Sequence, residues 1–183
     1  MDKAKQLEKV LTDLKALPLY EGSNFVPGEG SPDADILFVG EAPGKKEDEL
    51  ERPFVGASGK FLTEMLGLIG LKRDDVYITN IVKQRPPDNR DPLPEEIEAH
   101  WPLLMRQIEI IEPKIIVMLG RHSMGKLLPG LGSISQIHGK PFRRKDARVY
   151  LPLFHPAVAL YNGSQREVLI RDFKKIPLIL KKL

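Results

Sequence analysis

Short apolar runs alternate along the chain with longer stretches in which apolar residues recur at helical spacing. Four runs are too short for a helix, which predicts buried strands at 35–40, 76–82, 115–120 and 149–154. Helical spacing extends over 7–17, 60–71, 95–111, 122–128 and 167–180. Parallel neighbours need a crossover connection, usually a helix, so the alternation predicts an α/β fold whose mostly parallel sheet is covered on both faces.

Composition narrows the classes of protein that fit. With 183 residues and 42% hydrophobic content, we expect one domain over 1–183, with an amphipathic helix in 1–20 packed on it. The absence of cysteine excludes disulfides, thiolate nucleophiles and cysteine-ligated metal sites. No stretch resembles a signal peptide or a membrane span, so we expect a cytoplasmic protein without membrane contact. A net charge of +3 gives only a weak preference for polyanions.

Unusual residues follow the predicted strands, at the edge where α/β sheets bind ligands. Gly40, Ala42 and Gly44 form the turn after the first strand and could approach a planar group or a water closely. Glu41 and Glu47 are the nearby carboxylates that could hold such a water. An ordinary strand-to-helix turn with acids near a helix start explains the same motif, and it is favoured when the motif is taken alone.

The loop around Phe54 places an aromatic residue among glycines. Phe54 could stack on a base, and Ser58 and Lys60, near the start of the next helix, could receive phosphate. The alternative is that Phe54 fills the core and Ser58 only caps the helix, and the sequence fits both interpretations equally.

Asn80 interrupts the second predicted strand, where a buried amide needs hydrogen-bond partners. Its donor and acceptor match the O4 and N3–H edge of uracil, whereas cytosine presents the inverse edge. Satisfaction by neighbouring backbone is the alternative. The following loop carries Lys83, Arg85 and Arg90 among prolines, which suggests a stiff basic surface for phosphates.

His155 ends the fourth predicted strand, and Pro156 biases its backbone away from helical geometry. One imidazole donor could stabilise a departing pyrimidine anion without a metal. A lone histidine is more often structural, and we interpret His100, His122 and His138 in that way because they lack ligand spacing. We expect no metal site.

Six motifs in register resemble those of the family 4 uracil-DNA glycosylases, from about residue 26 to the C-terminus. They are Val26-Pro-Gly-Glu-Gly30, Gly40-Glu-Ala-Pro-Gly44, Pro53-Phe-Val-Gly56, Tyr77-Ile-Thr-Asn80, Arg85-Pro-Pro87 with Asn89-Arg90, and His155-Pro-Ala157. The resemblance implies a three-layer α/β/α sandwich around a short, mostly parallel sheet. It also implies an enzyme that flips uracil out of DNA and hydrolyses its N-glycosidic bond.

The same resemblance implies roles for individual residues. Phe54 would stack on uracil, Asn80 would read its edge, and His155 would stabilise the departing anion. Glu41 and Glu47 would organise the attacking water and shape the pocket, with their order of importance left open.

The resemblance further implies that the partner is uracil-containing DNA, single- or double-stranded, bound by a monomer. Ala42 stands where some other superfamily members carry a catalytic aspartate, so we expect leaving-group stabilisation to matter more than a strong base. Leu160 or Tyr161 would fill the gap left by the flipped base. The cations expected to contact the DNA backbone are Lys60, Lys83, Arg85, Arg90, Lys140, Arg143, Arg144 and Lys145.

The chain departs from the family at the four-iron cluster that four cysteines normally bind. Gln84 and His100 stand at two of those positions, and Asp13 and Ala16 stand near the other two. None of them is a ligand for such a cluster. We therefore expect no cofactor, and we expect apolar packing and prolines to hold the N-terminal segment instead.

Three other functions fit parts of the sequence. A binding module could capture uracil-containing DNA without turnover, and a superfamily member could have shifted base specificity, for example towards hypoxanthine. An unrelated α/β protein could bind a small phosphorylated ligand through 40–44 and 58–60, but no Walker or dinucleotide fingerprint is present.

Overall fold

The computed structural model describes residues 2–18 and 20–183, which contain one six-stranded sheet in the order β1-β3-β2-β4-β6-β5. The strands are β1 (Glu29–Gly30), β2 (Ile36–Gly40), β3 (Tyr77–Asn80), β4 (Ile115–Leu119), β5 (Phe142–Arg143) and β6 (Val149–Leu153). The four central strands run parallel, and β1 and β5 pair antiparallel at the two edges. The predicted α/β fold with a mostly parallel sheet is confirmed.

Helices connect the strands. They are α1 (Lys3–Leu14), α2 (Lys45–Leu50), α3 (Ala57–Leu68), α4 (Pro94–Ile111), α5 (Arg121–Leu127), α6 (Ile134–Ile137), α7 (Gly163–Phe173) and α8 (Ile176–Leu180). Short 3-10 helices occupy Arg73–Asp75, Pro87–Asn89 and Pro156–Leu160. The single helix predicted over 167–180 is two helices, because Pro177 lacks an N–H and its ring would clash with the carbonyl of Phe173. Among the described residues, no helix is both long and apolar enough to cross a bilayer.

The helices form a layer on each face of the sheet. On one face, α3, α7 and α8 cover a core in which Phe38 stacks on Phe173 with ring centroids 5.7 Å apart. On the other face lie α4, α5 and α6. Helix α1 packs outside α4, where Val10 and Leu14 contact Leu103. This arrangement is the three-layer α/β/α sandwich that the resemblance implies.

The carboxyl ends of the parallel strands meet at one edge of the sheet, which we call the site edge. Gly40 and Asn80 end two adjacent strands there, and His155 follows β6 by two residues. The hairpin between β5 and β6 lies at the opposite end, because Arg143 pairs with Val149 at the start of β6. The two ends therefore present different surfaces.

Candidate active site

Phe54, Asn80 and His155 come together around Gly40. A methyl group at position 40 would overlap Asn80 Oδ1 and lie 2.6 Å from Phe54 Cζ, so glycine is required for this close approach. The rings of Phe54 and His155 have centroids 5.6 Å apart and planes inclined by 30°. The structure thus brings together the aromatic ring, the carboxamide and the imidazole that the sequence assigns to one pocket.

The hydrogen bonding of His155 fixes its tautomer. Its Nδ1 accepts a hydrogen bond of 3.1 Å from the backbone N–H of Ala157. A backbone N–H can only donate, so the neutral ring carries its proton on Nε2. Burial lowers the pKa of His155 to about 4, although the Glu47 carboxylate acts in the opposite direction. The ring is therefore neutral near pH 7, with Nε2–H available as a donor.

Glu47 holds the segment 53–56, which we call the Phe54 loop. It lies in the first turn of α2 and is buried. Its Oε1 accepts hydrogen bonds from the backbone N–H groups of Val55 and Gly56, at 2.8 and 2.7 Å. Its Oε2 lies against Gly44, where an added methyl group would be 3.0 Å away. Glu47 therefore links the turn after β2 to the Phe54 loop.

Glu41 points to the other face of the sheet, because it follows Gly40 and successive side chains alternate. Its carboxylate lies 3.4 Å from His122 Nε2, which is 3.5 Å from Asp91 Oδ2. Burial raises the pKa of Glu41. These three ligand atoms lie within 4.8 Å of one another and could hold a metal ion, a grouping that the spacing of His122 in the sequence did not indicate. Arg121 already donates to His122 Nε2 at 3.1 Å, in competition with such an ion.

Two other predicted residues differ from expectation. Ala42 packs against the core beneath α4, so the pocket floor is formed by its glycine neighbours. Helix α3 begins after Gly56, and Ser58 lies inside its first turn, so Ser58 does not cap the helix. The other half of that alternative is confirmed, because Phe54 is 5% exposed and packs in the core. Arg73 was not predicted from the sequence to have a functional role, yet its guanidinium contacts the Phe54 loop. No spacing rule links it to that loop, because the contact forms only when β3 docks beside β2.

Lys83 is buried, with 1% of its surface exposed, so the prediction that it contacts DNA is wrong. Its Nζ donates to Thr79 Oγ1, the Asn80 carbonyl and Gln107 Oε1, at 2.5, 2.6 and 2.7 Å. Burial lowers the pKa of this amine. The chain after β3 stays beside β2, with Val82 N–H donating to the Glu41 carbonyl, and this path carries the lysine inward.

Three predicted cations do lie at or near the surface. Lys60 is exposed on α3, and Arg85 donates from Nε to Asn89 Oδ1 at 2.7 Å. Arg90 makes two hydrogen bonds to the Glu96 carboxylate, at 2.9 and 2.6 Å. Arg90 is therefore less available to phosphate than the other two.

The basic hairpin that connects β5 and β6 lies away from the site edge. Arg143, Arg144 and Lys145 are exposed, but they lie between β5 and the start of β6, opposite the site edge. The structure does not bring them together with Phe54, Asn80 and His155, because the register of β5 places them at the other end of the sheet.

Leu160 and Tyr161 follow His155 at the site edge. They lie at the end of the 3-10 helix Pro156–Leu160, and 38% and 91% of their surfaces are exposed. Two large exposed side chains beside the pocket are compatible with a contact to DNA bases.

Gln84 and His100 occupy the place where the cluster would be expected. Gln84 Oε1 accepts from the Tyr20 N–H at 3.2 Å, and its Nε2 donates to the Pro18 carbonyl at 3.1 Å. The same Nε2 lies 3.3 Å from His100 Nε2. An amide and an imidazole hydrogen-bonded in this way do not fit a cluster that cysteine thiolates bind. Packing of α1 supports the expected apolar replacement, and the hydrogen bonds of Gln84 were not anticipated.

Known proteins similar to this chain share most of its length. The model of the uracil DNA glycosylase superfamily matches residues 27–176. A type-4 uracil-DNA glycosylase from Sulfurisphaera tokodaii is 50% identical, over 96% of this chain and 84% of that protein. Type-4 uracil-DNA glycosylases from Archaeoglobus fulgidus and Thermotoga maritima are 49% and 44% identical, over 84% and 91% of this chain and 81% and 89% of theirs. The matched region contains Gly40, Phe54, Asn80 and His155.

Proposed function

The chain belongs to the uracil-DNA glycosylase superfamily, and from this we propose that it excises uracil from DNA by hydrolysing the N-glycosidic bond and leaving an abasic site. The observation that carries the proposal is the convergence of Phe54, Asn80 and His155 beside Gly40. An aromatic face, an amide and a neutral imidazole donor suit an extruded pyrimidine, which needs stacking, edge recognition and stabilisation as a leaving group.

His155 acts on the leaving group in this proposal. When the bond between C1′ and N1 breaks, its electron pair moves onto the uracil ring and negative charge develops at O2. The Nε2–H of His155 donates a hydrogen bond to that oxygen, and Ala157 keeps the donor on the correct nitrogen. Because the donor is fixed before the reaction, its orientation costs little free energy in the transition state.

A water molecule completes the reaction by attacking C1′ and losing its proton to a base. Glu47 is the better candidate to orient this water, because two backbone N–H groups bind its Oε1 and leave Oε2 as an acceptor. Glu41 faces His122 and Asp91 on the other side of the sheet, so we assign it to shaping the edge of the site.

Asn80 supplies the base selectivity. In the uracil-bound orientation, its Oδ1 accepts from N3–H and its Nδ2 donates to O4. Cytosine would oppose donor to donor and acceptor to acceptor, which leaves buried groups unpaired. Lys83 donates to the Asn80 backbone carbonyl at 2.6 Å and so fixes the backbone from which the amide projects.

We also propose that the enzyme works without a cofactor, as a monomer in the cytoplasm, on single- and double-stranded DNA. The absence of thiolates supports the first point. Lys60, Arg85 and Arg90 would contact the DNA backbone, with Ser58 near Lys60 on α3, and Leu160 or Tyr161 would enter the space left by the base.

Uracil release from oligonucleotides tests the proposal. Purified protein is incubated with single-stranded, U·G and U·A substrates and with a hypoxanthine control. We expect free uracil and abasic sites, with U·A the slowest, because unpaired or mismatched bases cost less to flip. A complex that survives a denaturing gel without free uracil would favour the capture module. Release of hypoxanthine alone would favour shifted specificity.

A further inference from the structure

Phe54 has a left-handed backbone conformation, with a φ angle of +50°. This region is rare for bulky residues, and a residue stays there only when its surroundings hold it. In this conformation the ring faces Gly40 and His155. Whatever holds the backbone of Phe54 therefore sets the position of the stacking face.

Arg73 contacts both peptide groups that flank Phe54. One terminal nitrogen donates to the Phe54 carbonyl at 2.9 Å, and the other donates to the Pro53 carbonyl at 2.6 Å. Glu47 binds the N–H groups of the two residues that follow. The backbone of Phe54 cannot rotate out of the left-handed region without breaking contacts on one side or the other.

Arg73 is itself fixed by surrounding groups. Glu29 accepts from its Nε at 2.9 Å and from a terminal nitrogen at 2.6 Å, and Thr63 Oγ1 accepts at 3.2 Å. Burial would raise the pKa of Glu29, but hydrogen bonds from Arg52 and Arg73 lower it below its ordinary value. The acid therefore stays ionised near neutral pH. Only 16% of the Arg73 side chain is exposed, which limits competition from water.

We propose that Arg73 is a positioning residue for uracil recognition: by binding the two carbonyls that flank Phe54, it fixes the aromatic face on which the flipped base stacks. The proposal rests on the function proposed above. Arg73 acts through Phe54 and does not touch the base. A guanidinium can serve both carbonyls and Glu29 at once because its donors form a planar fork, whereas lysine has a single nitrogen.

Loss of Arg73 should weaken uracil binding more than it slows the chemistry. Stacking on Phe54 stabilises the bound base before and during bond cleavage, so its loss raises KM and leaves kcat nearly unchanged. We expect Arg73→Met to raise both the KM for single-stranded substrate and the inhibition constant of free uracil about tenfold, or about 1.4 kcal/mol. Arg73→Lys should show an intermediate rise, and kcat should stay within about twofold in both.

Arg52→Met is the matched control. Arg52 also donates to Glu29, at 2.7 and 3.2 Å, but its guanidinium does not bind the carbonyls of Pro53 and Phe54, both of which lie among the described residues. Its KM and inhibition constant should stay within about twofold of wild type. A second comparison places Arg73→Met in a Phe54→Ala background. There it should raise KM by less than about twofold, because the stacking face is already lost.

If the wild-type enzyme is active, any of three results would overturn the proposal. The first is an unchanged KM in Arg73→Met with only the melting temperature lowered. The second is a KM in the double variant that equals the product of the two single effects, and the third is a rise in KM in Arg52→Met equal to that in Arg73→Met. If Arg73→Met does not fold, Arg73→Lys carries the test, and a wild-type KM in that variant overturns the proposal. Absence of uracil release by the wild type is a different outcome, because it removes the proposed function itself.

Discussion

The backbone N–H of Ala157 donates to Nδ1 of His155, and this contact determines which ring nitrogen can act on a substrate. With Nδ1 as the acceptor, the proton of the neutral ring is on Nε2. Burial holds the pKa of the ring at about 4, so the neutral form is present near pH 7. The site therefore combines a neutral donor with an aromatic face, and it does not depend on an imidazolium.

Replacing His155 should reduce turnover. We expect His155→Ala to lower kcat by about 10²–10³ with little change in KM, the effect of removing one preorganised donor. Single-turnover rates on single-stranded uracil DNA measure this. An unchanged rate would remove His155 from the mechanism.

The pH dependence gives a separate prediction for the same residue. Because its pKa is about 4, wild-type rates should show no titration of His155 between about pH 5.5 and 8. Below that range the ring gains a proton on Nδ1, which then faces the Ala157 N–H. An inflection near pH 6.5 that disappears in His155→Ala would contradict the neutral-donor assignment.

Replacing Asn80 should reduce base selectivity. Asn80→Ala removes both hydrogen bonds to the uracil edge, so we expect discrimination between uracil and cytosine to fall by roughly 1–3 kcal/mol. Competition assays with the two free bases measure it. Asn89→Ala is a matched control, because Asn89 accepts from Arg85 at the surface and is not part of the pocket. Equal selectivity in Asn80→Ala and wild type would contradict the assignment.

The elements that place this site follow from local sequence patterns. The apolar runs predicted the central strands within one or two residues, and the rule that ligands bind beyond parallel strand ends singled out Asn80 and His155. The left-handed backbone of Phe54 had no such signal. That conformation is held by Arg73 and Glu47, whose contacts with the loop depend on tertiary docking.

Two of the differences from expectation concern where charged side chains lie. Lys83 lies among arginines and prolines in the sequence, yet the chain after β3 continues beside the turn that follows β2 and carries this lysine inward. The sequence around Arg143 indicates an exposed cation but not its position relative to the site. The pairing of Arg143 with Val149, at the start of β6, shows that it lies at the opposite end from the site edge. Both outcomes depend on the path of the chain, which composition does not encode.

The corrected charge distribution predicts the salt dependence of DNA binding. We expect Lys60→Gln and Arg85→Gln each to reduce the slope of log affinity against log salt by about 0.9 on duplex DNA, one phosphate contact each. Arg144→Gln is the matched control and should leave the slope unchanged, because it lies at the opposite end. Fluorescence anisotropy across a salt series measures the slopes. A smaller slope in Arg144→Gln would restore the hairpin to the DNA surface.

His100 should make folding stability depend on pH in the acid range. Its Nδ1 accepts from the Lys83 N–H at 3.3 Å, and its Nε2 lies 3.3 Å from the Gln84 amide nitrogen. An imidazolium would place donors against both groups. Burial, together with the Lys83 charge, accordingly lowers the pKa of His100 from 6.5 to about 4.

The sign of the effect follows from proton uptake. Between about pH 4 and 6.5 the unfolded chain binds up to one more proton at His100 than the folded protein does, so unfolding becomes easier as the pH falls, by up to about 1.4 kcal/mol per pH unit. The variant His100→Gln cannot take up this proton. We therefore expect its free energy of unfolding, from urea titrations between about pH 4.5 and 6.5, to fall less steeply than that of wild type, even if its stability at pH 7 is lower. Parallel pH profiles would show that His100 is not held neutral in the folded protein.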